Sequence, residues 1–404
     1  MDNVTQLSVI RQCLSLLPVD VNERLLFDHY AKKLTIHKTI RTFVAAQLQH
    51  WSSYAEMEST IRAHPELQRV LGFTSISGSQ LSRKLDQIPT ELLEDLFHQC
   101  ATRLKQLKSQ PNPGQLAFPW KLRILDSTSL RLPLQLGDWA RMSRYESGVK
   151  MHLRLLATSP DEAIPEAMIP TTVNVNDRTP AIDLVVESDA IYVMDRGYDK
   201  YTRMDEWVER KILFVLRVRD RTFTKEVEVY PVPEHTNIVR DAKVLVGASP
   251  SYMEHPLRLV EFHDEQGRLY RILTSVWDQS AEEITHMYKC RWQIELFFKW
   301  LKQHVRLVKL YSFKPQAIWN QLYLALITSL LVHEIKRMTQ TRRSPWEVLR
   351  LLRIYFFKEW SAYESELHRK PSKTSSGRQK SAMKPAISVR TTIGILKPPT
   401  QKYS

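Results

Sequence analysis

The chain of 404 residues is long enough for two or three domains, and 43% hydrophobic with 25% charged residues is the make-up of a soluble globular protein with a substantial core. Lys and Arg number 58 against 44 Asp and Glu, leaving +14, which favours a polyanionic partner, either nucleic acid or an acidic membrane surface. Three widely spaced cysteines, Cys13, Cys100 and Cys290, exclude a disulfide framework and a cysteine zinc site and point to a reducing cytoplasm.

The N-terminus has neither the basic leader nor the small-residue cleavage site of a signal peptide. Residues 1–108 carry helical periodicity and predict a helical domain. Within it, Thr74 to Pro89 ("TSISGSQLSRKLDQIP") predicts a turn and a short helix with Ser82, Arg83 and Lys84 outward. That stretch fits the second half of a helix-turn-helix entering a DNA groove, and equally an ordinary amphipathic surface helix. The Pro/Gly-rich "KSQPNPGQ", Lys108 to Gln115, marks a domain boundary.

Strand patterns follow. "KLRILDSTSLRL" and "VKMHLRLLAT" predict strands, the second alternating Val149, Met151, Leu153 and Leu155 with Lys150, His152 and Arg154. "EAMIPTTVNV" is a further strand, "AIDLVVES" a short helix and "AIYVMD" a buried strand. Residues 211–275 read as a β-rich insertion, with "HDEQGR" as a hairpin turn. Ser280 and Glu283 form a capping-box pattern at the start of a long helix. Further helices fill roughly 316–340 and 344–358, within a C-terminal helical segment of 311–368. The apolar run Leu322 to Val332 is too short to span a bilayer. From Arg369 onward nine Lys/Arg and no acidic residue predict a disordered polycation.

Three carboxylates stand out. Asp126 ends "LRILD" and Asp195 ends "IYVMD", each in an apolar strand where an ionised group is costly unless a cation or donor meets it. Two such strands side by side would bring the aspartates together and call for a metal; alternatively, either aspartate caps a turn. Glu295 lies in "YKCRWQIELFFKWLK", Tyr288 to Lys302. Read as one continuous helix at about 100° per residue, Tyr288, Arg291, Glu295, Lys299 and Lys302 fall within an arc of about 80°. Ile294, Phe297, Phe298 and Leu301 face the opposite side. Surface ion pairs at i, i+4 spacing account for part of this stripe. A phosphate-binding face accounts for Tyr288 and Lys302 as well. Asp278 is the nearest substitute for Glu295.

These residues resemble a family. Asp126, Asp195 in "DRGY", and Y-x2-R-x3-E-x6-K at Tyr288, Arg291, Glu295 and Lys302 are similar to the DDE transposases of bacterial insertion sequences, and within them to the insertion-sequence-four branch. The likeness covers roughly residues 20–310. It implies an α/β fold: a helical N-terminal DNA-binding domain, an RNase H-like catalytic core (116–310) interrupted by the β-rich insertion, and C-terminal helices. Asp126, Asp195 and Glu295 would hold two Mg2+ ions, with Mn2+ able to substitute, as suits an all-oxygen donor set. Tyr288, Arg291 and Lys302, aided by Lys299, would contact DNA. The expected partners are double-stranded DNA, at the terminal inverted repeats and the target, and a second copy in a homodimer; no membrane is expected, and the location is cytoplasmic. Two alternatives remain: an RNase H-like nuclease or resolvase without strand transfer, and a non-catalytic DNA-binding protein derived from a transposase.

Overall fold

A computed structural model describes residues 7–18, 28–29, 31–107, 119–160, 162–232, 234–248, 251–305, 307 and 309–370. The proposed linker at Lys108 to Gln115 lies outside the described residues. So does nearly all of the basic tail, which belongs to a second unit, Arg369–Ser404.

The strand patterns assemble into one sheet of ten strands. β1 (Leu122–Leu132), β2 (Ser147–Ser159), β3 (Glu162–Thr172), β4 (Ile191–Met194) and β5 (Leu213–Arg217) are followed by β6 (Thr224–Val229), β7 (Ile238–Ala248), β8 (Ser251–Tyr252), β9 (Leu257–His263) and β10 (Leu269–Thr274). Their order is β3-β2-β1-β4-β5-β10-β9-β7-β6, with β8 paired to β7. β1, β4 and β5 run parallel, and the other pairings are antiparallel. Parallel strands are covered on both faces, which is why "IYVM" and "LFVL" are continuous apolar runs. In them Val193 and Val215 join a core on one face of the sheet, while Tyr192, Met194, Phe214 and Leu216 join a second core on the other. β3 carries Pro165 and Pro170, tolerated because it is the edge strand, bonded only to β2. Residues 213–217, grouped with the insertion in the sequence reading, pair in parallel with β4; the strands from Thr224 to Thr274 extend the sheet beyond them.

β2 departs from a simple in/out alternation. Its polar residues are buried too, His152 fully and Arg154 nearly so. The reason is an ion network beneath the sheet. Glu166 accepts from Arg123 Nε (2.8 Å) and Lys105 (2.8 Å) and lies 3.1 Å from Arg154 Nε, while Arg154 also bonds Glu187 at 2.8 Å.

The N-terminal helices are α1 (Val9–Ser15), α2 (Ile36–Gln49), α3 (Tyr54–Ala63), α4 (Pro65–Leu71), α5 (Gly78–Gln87) and α6 (Thr90–Gln106). Two short helices, α7 (Ala181–Leu184) and α8 (Tyr201–Glu209), flank β4 in sequence. The C-terminal part adds α9 (Ala281–Lys289), α10 (Trp292–His304), α11 (Pro315–Met338), α12 (Pro345–Tyr355) and α13 (Trp360–His368). α11 is buried on nearly all sides and lies against α2, α5, α6, α12 and β3. Its Asn320 amide donates to the carbonyls of Leu85 (2.7 Å) and Ile88 (2.8 Å) and accepts from Thr90 (2.9 Å), so the N- and C-terminal helices share one compact unit with the sheet. No helix among the described residues is long and apolar enough to cross a membrane.

The expected long helix from Ser280 is divided. Ser280 and Glu283 form the capping box, but α9 ends at Lys289 and α10 begins at Trp292. At the joint, Arg291 N–H bonds Tyr288 O at 3.0 Å and Ile294 N–H bonds Arg291 O at 3.1 Å, the tighter i→i−3 pattern. Each half covers a different part of the twisted sheet: α9 lies over β4, β5, β7 and β9, and α10 over β1 and β3.

Candidate active site

The register between β1 and β4 aligns Leu122 with Ile191 and Leu125 with Met194. The next residue on each strand is an aspartate, so Asp126 and Asp195 emerge side by side at the C-terminal end of β4. The ladder stops there: β1 continues, whereas the chain after Asp195 turns into a 3-10 helix, Arg196–Tyr198.

α10 carries Glu295 to the same place. Its apolar side buries Ile294, Phe297, Phe298 and Leu301, as the sequence spacing indicated. A cavity of about 510 Å³ is lined by Asp126, Ser127, Asp195, Arg291, Glu295, Phe298, Lys299, Lys302 and Gln303. Six of the seven residues singled out from the sequence therefore meet around one cavity despite the break in the helix. The seventh, Tyr288, is buried behind the site, with its hydroxyl donating to Asp195 Oδ1 at 3.2 Å. Asp278 is exposed and does not line the cavity.

Each carboxylate is already engaged by a protein donor. Asp126 Oδ1 accepts the N–H of Ser127 at 2.8 Å, and its Oδ2 lies 3.6 Å from Arg291. The other Nη of Arg291 donates to Glu295 Oε1 at 2.6 Å. Burial pushes the Asp126 carboxyl up to about 6; Ser127 and Arg291 oppose the shift, and the charges of Asp195 and Asp177 add to it. Burial works against the Arg291 charge, yet Tyr288, Glu295 and Asp195 hold its value above the ordinary one. Burial likewise raises the Tyr288 phenol, which stays a neutral donor. Lys302 donates to Thr128 of β1 at 2.6 Å, and Lys299 is exposed at the cavity wall.

Sequence reasoning missed a fourth carboxylate, Asp177, in the loop after β3. It accepts from the Ser127 hydroxyl at 2.7 Å. Although burial acts to raise it, the His152 ring 3.3 Å away, the Ser127 hydroxyl and the charge of Lys150 hold it down at about 2. Its signal was the polar set of β2, Lys150 and His152, which alternates with apolar residues and needs a partner once buried.

Among the described residues, no three His, Cys, Asp or Glu side chains are grouped so as to hold a metal ion as they stand. The guanidinium of Arg291, reaching both Glu295 and Asp126, supplies positive charge at that place instead. The donor chemistry nonetheless fits a hard divalent cation: three carboxylates beside a hydroxyl and an amide, with no sulfur or imidazole on the cavity wall.

A cavity walled by three carboxylates and three cations defines a site for acting on a polyanion. The chain belongs to the DDE transposase family, since the family described as "Transposase DDE domain" matches residues 120–331. It is accordingly an enzyme that cuts DNA and transfers strands. A Geobacillus stearothermophilus protein named as a transposase for insertion sequence element IS5377 is 27% identical over 312 residues, covering 77% of this chain and 79% of that protein. A Sinorhizobium fredii protein named as the transposase y4zB is 31% identical over 224 residues, 54% of this chain and 62% of its own length. A Synechocystis protein named as a transposase for insertion sequence element IS4SA is 27% identical over 150 residues, 35% of this chain and 40% of that protein. A piggyBac transposase synaptic complex with hairpin DNA overlaps at a TM-score of 0.43 and 12% identity, covering 92% of this chain and 84% of that one, a likeness too shallow to carry an argument.

Proposed function

We propose that the transposase performs cut-and-paste transposition, with Asp126, Asp195 and Glu295 as the metal-binding triad of an RNase H-like core. The observation that carries this reading is their convergence, with Arg291, Lys299 and Lys302, on one cavity. The strand order β3-β2-β1-β4-β5, with Asp126 on the first strand and Asp195 at the end of the fourth, supports it. Bound Mg2+ ions would supply activation of water or of a 3′-hydroxyl and stabilisation of the leaving oxygen.

The protein's own residues prepare that chemistry. Tyr288 orients Asp195 through its hydroxyl. Arg291 neutralises Glu295 and Asp126 in the metal-free protein, and with a divalent ion held by those carboxylates its guanidinium would be free to bind two oxygens of a DNA phosphate. Lys299 and Lys302 contact neighbouring phosphates. The N-terminal helices bind the terminal repeats, and two copies hold two ends as a homodimer.

The test is Glu295→Gln assayed on the inverted-repeat ends that flank the gene. Cleavage and strand transfer should fall to background while end binding persists. Undiminished cleavage removes Glu295 from the triad, and cleavage without joining by the parent protein would instead make it a nuclease.

A further inference from the structure

The loop after β3 links the two segments that carry the aspartates. Asp177 Oδ1 accepts from Ser127 Oγ of β1 at 2.7 Å and from Lys150 of β2 at 3.2 Å, and lies 3.3 Å from Nδ1 of the fully buried His152. Lys150 also donates to the carbonyl of Val175 at 2.9 Å, pinning the loop itself. The loop's other side meets the turn after Asp195. A Cβ placed on Gly197 would lie 3.5 Å from Asp177 Oδ2, and Arg178 is ion-paired with the nearly buried Asp199.

This linkage sits where the backbone no longer provides one. The last residue pair between β1 and β4 is Leu125 with Met194, one residue short of the aspartates. Beyond it no β-ladder holds the chain after Asp195 against β1, and two like-charged carboxylates side by side repel each other, a repulsion that Arg291 offsets from the Asp126 side. We propose that Asp177 and Arg178 are positioning residues that fix the distance between Asp126 and Asp195. The inference rests on these two aspartates being metal ligands. Asp177 acts through Ser127, the neighbour whose N–H orients Asp126, and Arg178 acts through Asp199, at the end of the turn that Asp195 opens.

The test measures Mn2+ binding by electron paramagnetic resonance, using the full chain bound to a pre-cut inverted-repeat end. Asp177→Asn keeps the side chain's size and removes its charge, and Arg178→Ala removes the second tie. Each should weaken Mn2+ binding by about 10- to 100-fold, the usual effect of losing a group that orients a ligand. End affinity should be unchanged, cleavage should recover as Mn2+ is raised, and Arg178→Lys should restore part of the loss. Parental Mn2+ affinity in both variants overturns the inference, as does a loss of cleavage that no Mn2+ concentration recovers. Should Asp177→Asn not fold, Arg178→Ala decides alone. If Asp126→Asn leaves Mn2+ affinity intact, the ligand assignment itself has failed and takes this inference with it, an outcome separate from the other two.

Discussion

Asp126 shows what the site costs the fold. Its carboxyl is held largely out of water beside Asp195 and Asp177, with only Arg291 and one N–H in compensation. Its folded value, about 6 against an ordinary 3.8, means that the folded state keeps the proton longer than the unfolded chain. This contribution is fully present below about pH 4 and is lost as pH rises to about 6. At neutral pH the charge therefore destabilises the metal-free protein, by something on the order of 3 kcal/mol. Asp126→Asn should accordingly abolish cleavage yet raise the melting temperature without metal; a lowered melting temperature would contradict the account. Glu166 has the opposite sign. It is buried, and although desolvation acts to raise it, Arg123, Lys105 and Arg154 hold its carboxyl at about 2 against an ordinary 4.5. Its contribution is present above about pH 4.5, disappears as pH falls towards 2, and is on the order of 3 kcal/mol. Glu166→Gln leaves Arg123 and Arg154 buried beside a neutral amide and should cost about 3–5 kcal/mol, read from denaturant unfolding at pH 7. The mutant's loss relative to the parent should shrink as pH drops from 5 to 3; a constant difference across that range would exclude the ionic explanation.

At the scale of elements, the break between α9 and α10 reconciles two demands. α9 must bury Ile284, Met287 and Tyr288 over the central strands, and α10 must bury Ile294, Phe297, Phe298 and Leu301 near β1 and β3. A straight helix follows one line across a twisted sheet, whereas a joint at Cys290–Arg291 lets each half follow its own strands. Arg291 sits at that joint, so its position depends on both helices. The Ser280 hydroxyl accepts the N–H of Glu283 and fixes where α9 starts. Ser280→Ala should cost about 1 kcal/mol, measured as a lowered denaturation midpoint with an unchanged slope. An effect beyond about twice that size would mean that the cap also holds α10 in register.

For the molecule as a whole, α11 is the organising element. It is apolar on nearly every side, so it can exist only in the middle of something, and it lies between the N-terminal helices and the edge of the sheet. Asn320 and the Arg103–Glu334 ion pair tie it to α5 and α6 across more than 200 residues of sequence. The N-terminal helices thus share the core that supports the strands carrying Asp126 and Asp195. Calorimetry of residues 1–368 should show a single cooperative transition, and a fragment ending at Leu107 should not fold alone. Two separated transitions would show that the helical part is independent after all. The cationic cavity wall adds an expectation for DNA: affinity for a transposon end should fall steeply with salt, as bound counterions are released.

The sequence by itself was enough for most of the strands, for the buried side of α10, and for six of the nine residues that line the cavity. Those features rest on local periodicity and on charges too costly to bury without a purpose, and both are written in the order of residues. Only the tertiary structure decided the rest. The break at Arg291, the inward turn of Lys150 and His152, the engagement of Tyr288 with Asp195 and the place of Asp177 all depend on which segments lie across from one another. A polar residue on a strand reads the same whether water or a distant carboxylate faces it, because its partner lies dozens of residues away and leaves no mark on the local pattern.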